Sequence, residues 1–347
     1  MLFVASDRHV DHRMLEVHNG EVIDSFDGPE RAAIIETALR ARGDHDIIDP
    51  DELDTDLLGR VHDADYLELL ATAWDRWVAD GHEAPAAMSF AWPARSAVAR
   101  RPADLVGQLG WHSFGSDCSL VAGTWRAVRA SAACAHTAAD RLVAADERAV
   151  NALSRTPGPH ATAGQFGGYC FVNNAVVAAQ RLLDRGHQRV GIVDVDYHHG
   201  NGTQSITEHR SDIVFASIHA TPAEEFPWFS GYADETGTGD GVGCNLNVPL
   251  LRGADVGQWF SALADVLLFL SDAVLDALVV SLGVDTYDDD PLGTFGLTTL
   301  DFTKVANELS LLDLPTVIVQ EGGYADAARG DNVAAFLAGC PRPNALS

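Results

Sequence analysis

The chain has 347 residues, 47% of them apolar, with 50 acidic against 23 basic side chains and a net charge of −27. That balance repels nucleic acid and anionic membrane and favours cationic ligands, and no apolar run approaches the roughly 20 residues of a membrane span. Five cysteines with no CxxC pair and one left over argue against a zinc ribbon or a disulfide framework and for reduced thiols. The start, Met1 to Val4 followed by Asp7, Arg8 and His9, lacks a basic segment leading into a long apolar stretch, so the expected location is the cytoplasm. No shift in composition marks a linker, and residues 1–347 are read as one domain.

Residues 3–28 carry His9, His12 and His18 among acids; these read as scattered surface imidazoles, with a site rim or metal cluster as the alternative. Gly28-Pro29-Glu30 opens a helix that runs to residue 41, where proline suits a first turn that has no use for its N–H. Another helix starts within 61–66 and sets Leu67, Leu70, Trp74 and Val78 at helical spacing as core. Residues 80–118 are the least regular: Pro85, Pro93 and Pro102 interrupt them, and Phe90, Trp92, Trp111 and Phe114 are candidates for exposure in an inserted loop. Contiguous aromatics are costly to leave in water, so a second subunit is expected to cover them and make a homodimer. An alanine-rich helix follows at 124–145, then a turn at 156–160 that presents His160, and Asn173 or Asn174 is placed to cap a helix at 175–185.

Residues 189–195 are rich in Val and Ile and run into Asp194-Val195-Asp196-Tyr197-His198-His199-Gly200-Asn201-Gly202. A buried parallel strand reads this way where it reaches the carboxyl edge of a sheet, and active sites of α/β sheets lie at that edge. Asp196 and His198 are two apart, so on an extended segment they point to the same side and can grip one cation. Acids and imidazoles at a strand end can also be satisfied by backbone alone. A second apolar strand, 278–282, runs into Gly283 and Asp285 and supplies another carboxylate; two carboxylates and an imidazole suit a catalytic zinc with a position left for water.

The remaining elements are a strand at 213–218 ending in His219, an aromatic loop Phe226-Pro227-Trp228-Phe229, a glycine-rich loop at 231–243, helices at 256–275 and 302–311, and a strand at 315–319 that runs into Glu321-Gly322-Gly323-Tyr324. Strands alternating with helices predict an α/β fold, a mainly parallel sheet covered by helices on both faces. Gly200-Asn201-Gly202 lacks the third glycine of a dinucleotide fingerprint, and there is no G-x-S-x-G elbow to supply a serine nucleophile. His160, Asp196, His198, Asp285 and Tyr324 are thus expected at one edge. A metal there would polarise an amide carbonyl and make metal-bound water a nucleophile near neutral pH. His160 could carry the proton to the departing amine, and Tyr324, on two glycines, could donate to the oxyanion.

Arg155-Thr156-Pro157-Gly158, Gly167 to Asn174, Asp194 to Gly202, Ser281 to Pro291 and Glu321 to Tyr324 resemble the motifs of the zinc-dependent histone deacetylases, and more closely of bacterial acetylpolyamine amidohydrolases, over a span from His9 to about Asn332. The resemblance implies an arginase/deacetylase-like three-layer fold. It implies Asp196, His198 and Asp285 as ligands of Zn2+, with Fe2+ as an alternative, His160 as general base and acid, and Tyr324 as the oxyanion-stabilising group. Tyr169 and Phe226 resemble the walls of a narrow acyl-lysine tunnel, with Gly168 beside them. Asp194, the backbone of Asp196 and His198, Ser217 and Ile218 resemble a structural K+ site; Asn201 falls behind the general-base histidine, and Leu292 stands where one branch has a glutamate gatekeeper. The segment at about 80–118 resembles an insertion through which the polyamine branch dimerises. Where the family has tandem histidines this chain has Pro159-His160, so the imidazole that would hydrogen-bond the zinc water is replaced by a ring with no donor.

The implied activity is removal of an acyl group, acetyl first, from a small amine such as an acetylpolyamine or from acyl-lysine, with no nucleic-acid or membrane partner. The alternatives are an amidohydrolase on an unrelated amide retuned around Pro159, and a weakly catalytic metal-binding protein that captures an acylated amine.

Overall fold

The computed structural model describes residues 1–43, 46–94, 99–144 and 147–340. In chain order the elements are β1 (Leu2–Ala5), β2 (Leu15–His18), β3 (Glu21–Asp24), α1 (Glu30–Arg42), β4 (Asp46–Ile48), α2 (Thr55–Val61), α3 (Ala64–Ala79), α4 (Leu105–Trp111), α5 (Thr124–Ala144), β5 (Ala149–Leu153), α6 (Asn174–Asp184), β6 (Val190–Asp194), α7 (Asn201–Thr207), β7 (Ile213–Ala220), β8 (Asn245–Leu250), α8 (Val256–Asp272), β9 (Ala277–Leu282), α9 (Thr299–Ser310), β10 (Thr316–Gln320) and α10 (Arg329–Gly339). Eight strands form one sheet in the order β4-β1-β5-β10-β9-β6-β7-β8, every pairing parallel. All eight carboxyl ends therefore open on the same edge. β2 and β3 form a separate antiparallel hairpin.

The strands are apolar throughout because both faces are covered. Successive side chains alternate: Val190 and Ile192 join a core with α2, α3, α5 and α6, whereas Val193 and Val195 join a second core with α1, α8, α9 and α10. The result is the expected three-layer arrangement, a parallel sheet with helices on both faces. Asn173 caps α6, its side chain accepting from the Val176 amide, while Asn174 is the first helical residue. All five cysteines are buried free thiols.

Several expectations need correction. On α3 the buried stripe is Tyr66, Leu69, Leu70, Ala73 and Trp77, so Leu67 and Trp74 are only half-buried and Val78 is exposed. α3 packs against α4 and α5, and its stripe Tyr66, Leu69, Leu70, Ala73 and Trp77 enters the core, with Leu67 and Trp74 at the margin of that core. His9 and His12 are buried instead of lying on the surface: the Arg155 guanidinium donates to the carbonyls of both and of Asp27, drawing the segment inward. The span 80–118 is not all loop, since it contains α4 and Ala87, which bridges to Leu120; its residues 95–98 lie outside the described residues, as does residue 145 of the expected alanine-rich helix. Within it, Phe90 and Trp92 are exposed, but Trp111 and Phe114 are half-buried.

Candidate metal centre and tunnel

β6 and β9 are neighbours in register, Asp194 opposite Ser281, so the chain leaves both strands at one level and brings Asp196 and His198 to Asp285. One ligand atom from each of these three lies within 4.8 Å of the others. His198 Nδ1 is 3.4 Å from an oxygen of Asp196 and 3.4 Å from Asp285 Oδ2. Backbone satisfaction accounts for part of this: Asp196 accepts the His198 amide at 2.9 Å and the Gly322 amide at 3.0 Å, and Asp285 Oδ1 accepts the Tyr197 amide at 2.8 Å. It fails for Asp285 Oδ2, which is buried with no hydrogen-bond partner. An orphaned buried carboxylate oxygen facing an imidazole fits a divalent cation.

The electrostatics agree. Burial opposes a charged His198, yet the two carboxylates 3.4 Å from its Nδ1, Asp196 and Asp285, override it and raise the imidazole to about 10. Burial and the neighbouring Asp196 push the Asp285 carboxyl up. Two carboxylates this close hold positive charge between them. Gly283 and Gly322 permit the packing, because a Cβ on either would overlap Asp196 Oδ2.

His160 comes from the loop after β5. Its Nδ1–H donates to Asn201 Oδ1 at 2.7 Å, which leaves Nε2 as a lone pair, and burial lowers its pKa to about 4. The ring stands 6.2 Å from that of His198. Gly168, at φ +57°, packs against it; a Cβ there would lie 2.6 Å from His160 Cγ. Tyr324 follows β10 after Gly322 and Gly323; its ring lies 5.7 Å from that of Tyr169 and under the Arg31 guanidinium at 4.8 Å.

These groups line a cavity of about 700 Å³ at the carboxyl edge, with Asp196, His198, His160, Tyr324, Gly168, Tyr169, Phe226, Leu292 and Pro159 in its wall and Asp285 buried beneath. Phe226 stands 4.9 Å from His160 and 6.2 Å from Phe114, stacked on it at 25°. Phe114, expected to be exposed, is half-buried and lines this cavity. Sequence reasoning also missed Glu16 and Asp117. Asp117 accepts the Gly168 amide at 2.8 Å and Glu16 the Tyr169 hydroxyl at 3.3 Å, and both line the same cavity. Single acids in a hairpin and a loop carry no spacing that announces them. A cavity of about 310 Å³ at the opposite edge, lined by Leu278, Thr316, Phe336 and Cys340 among others, contains none of these groups.

Asp194 is buried, accepts the Asp196 amide at 3.1 Å through Oδ1 and leaves Oδ2 unpartnered. β7 pairs Ser217 with it, and Ile218 follows, whereas the Ser217 hydroxyl meets His219 Nδ1 at 2.8 Å. Asn201 belongs with His160 and is apart from this group.

The family model for the histone deacetylase domain matches residues 26–340. Acetylpolyamine amidohydrolase of Mycoplana ramosa is 43% identical over 335 residues, 96% of this chain and 98% of that protein, and acetylpolyamine amidohydrolase 1 of Pseudomonas aeruginosa is 43% identical over 344 residues, 98% of each. The crystal structure of an acetylpolyamine aminohydrolase from Burkholderia pseudomallei superposes with a TM-score of 0.92 at 36% identity, covering 100% of this chain and 99% of that one. A parallel sheet whose neighbouring strand ends gather two aspartates and a histidine, matched over nearly its full length by these proteins, places this chain in the histone deacetylase family.

Proposed function

We propose that this chain is a metal-dependent amidohydrolase that removes an acyl group, acetyl first, from a small amine of the acetylpolyamine type. The observation that carries the reading is the position of Asp196, His198 and Asp285 at the base of a narrow aromatic cavity, with the free Nε2 of His160 beside them. Similarity to acetylpolyamine amidohydrolases and the carboxylates of Glu16 and Asp117 in the cavity wall, suited to a cationic substrate, support it. Asp196, His198 and Asp285 would hold zinc, with iron(II) as the alternative, and the bound ion would polarise the amide carbonyl and acidify water.

Residues of the chain supply the rest. Nε2 of His160 takes the proton from the attacking water and returns one to the amine, which is too basic to leave unprotonated. Asn201 holds that imidazole in the tautomer the step requires. Tyr324 donates a hydrogen bond to the developing oxyanion. Phe226, Tyr169 and Leu292 enclose the alkyl chain and exclude water, and Gly168 leaves room for His160. Asp194, Ser217 and Ile218 would bind K+ and stiffen the loop that carries Asp196. We also propose one catalytic domain, a cytoplasmic location and a homodimer covering Phe90 and Trp92.

Pro159 favours a second reading, in which an unrelated amide brings its own donor to the place of the missing imidazole, or the site binds an acylated amine with little turnover. The test is turnover of acetylated diamines, acetyl-lysine and lactams by zinc- and iron-loaded protein, before and after chelation. Metal-dependent release of acetate from the diamines supports the proposal. Turnover of lactams alone supports the second reading, and metal-loaded protein inert toward every substrate overturns the enzyme assignment.

A further inference from the structure

Between β10 and α10, residues 321–328 form no regular element, yet this segment carries Tyr324. Its first part is fixed from below and behind. Asp196 accepts the Gly322 amide at 3.0 Å, and Arg31 donates to the carbonyls of Glu321 and Gly323. Those backbone restraints end at Gly323, whose φ of +120° only glycine readily adopts, and beyond it Arg31 meets the tyrosine only through its ring face. The Tyr324 and Ala325 amides both point to one carboxylate, Asp290, at 2.6 and 3.0 Å, through Oδ2. The other oxygen of Asp290 accepts the Leu292 amide at 3.0 Å. Asp290 is itself buried, 6% exposed, on the loop after β9 that also carries Asp285.

We propose that Asp290 is a positioning residue that holds Tyr324 in register with the tunnel wall at Leu292 and so sets the reach of the tyrosine hydroxyl toward the reacting carbonyl. The assignment rests on the role given to Tyr324 above. A carboxylate is suited to the task because each oxygen accepts from backbone amides, and such charge-assisted bonds are shorter and stronger than neutral ones. The backbone is fixed and the side chain follows, so the oxyanion donor and the wall move as one unit. Asp290 touches neither substrate nor metal in this scheme; it acts through the segments it joins.

The experiment is a double-mutant cycle on metal-loaded protein with an acetylated diamine. Asp290→Ala is expected to lower kcat about 10²-fold, the loss that a misplacement of about 1 Å can bring, with metal content unchanged and a smaller effect on KM. Asp290→Asn keeps one acceptor oxygen for the paired Tyr324 and Ala325 amides and gives up Leu292; it should recover part of the lost kcat and show its main defect in KM. In a Tyr324→Phe background, Asp290→Ala should cost little more, because residues acting as a unit are non-additive. A loss in that background equal to the loss in the parent overturns the proposal, as does an Asp290→Ala enzyme with full kcat. Should Asp290→Ala fail to fold, the Asn variant decides in its place by the same cycle. Full activity of Tyr324→Phe alone would instead strike down the role of the tyrosine, a result separate from either outcome at Asp290.

Discussion

Replacing Pro159 with histidine tests whether the site still has the socket for the imidazole that the family pattern places there. A Cβ built on Gly200 overlaps Asp194 Oδ2 and stands 3.4 Å from Pro159 Cβ, so one imidazole rooted at 159 can reach that oxygen. Asp194 Oδ2 is buried and has no hydrogen-bond partner. A buried acceptor left unpaired costs about 1–3 kcal/mol, and an N–H from the new ring removes that cost. Pro159→His is therefore expected to raise stability by about 1 kcal/mol or more, read as a higher urea midpoint at constant slope. The other ring nitrogen would face the cavity that Pro159 lines. Acid–base and water-orienting groups contribute roughly 10² to 10⁴ in rate, and partial recovery to about 10-fold corresponds to about 1.4 kcal/mol in the barrier. The assay is kcat/KM on an acetylated diamine, with zinc content and urea melts on the same preparations. Equal metal content with no gain in either the midpoint or kcat/KM would refute the reasoning.

Asp285→Ala should leave the fold intact and remove most bound divalent metal, since one of three protein ligands is gone; elemental analysis equal to that of the parent would count against the triad. Gly168→Ala puts a methyl against His160, which must shift, so kcat should fall at least about 10-fold while metal is retained; unchanged kcat would mean that the ring position is not critical. His62 is buried with Nδ1–H donating to the Thr162 carbonyl at 2.9 Å and Nε2 accepting the Asn173 amide at 3.0 Å, and burial lowers its pKa to about 4. His219 is likewise lowered to about 4 and His12 to about 3 by burial. Their folded pKa lies below the unfolded value near 6.5, so the unfolded chain binds more protons between pH 6.5 and 4. This stability is fully present above pH 6.5 and is lost on acidification, at up to about 1.4 kcal/mol per pH unit for each imidazole. Coincident urea midpoints at pH 7 and 5 would contradict it.

Local pattern reveals what local pattern controls. The apolar runs before Asp196, Asp285 and Tyr324 announce buried strands, and the abrupt change to acids, imidazoles and glycines announces the carboxyl edge. For that reason the clustering of Asp196, His198 and Asp285 and the sheet's class are legible from residue order. β1, β4 and β5 are not: they are as short as β6 and β10 or shorter and read as strands only through their parallel pairing with neighbours distant in sequence. The aromatics of 80–118 illustrate another limit. Proline and glycine spacing predicts irregular chain there, but whether Phe114 meets solvent or Phe226 depends on a contact across more than a hundred residues. His9 and His12 are polar in any hydropathy pattern, and their burial depends on long-range partners, Arg155 at both carbonyls and Thr124 and Phe171 at the His12 ring. Asp290 is one of three consecutive aspartates, and nothing in that run distinguishes the one that holds Tyr324.

The place of β10 has a consequence for biosynthesis. Among the described residues it is the last strand, and it lies in the middle of the sheet, between β5 and β9. A nascent chain that has emerged through α9 holds seven of the eight strands in two separate ribbons, β4-β1-β5 and β9-β6-β7-β8, each with an unsatisfied inner edge. Such edges invite mispairing, so this stage is the one most in need of a chaperone. The halves are also chemically unequal. Asp196, His198 and Asp285 all belong to the second ribbon, His160 to the first, and Tyr324 to the strand that joins them. On the proposed assignment of these three as ligands, metal capture needs only the second ribbon, and in refolding from denaturant metal uptake should lead the return of activity.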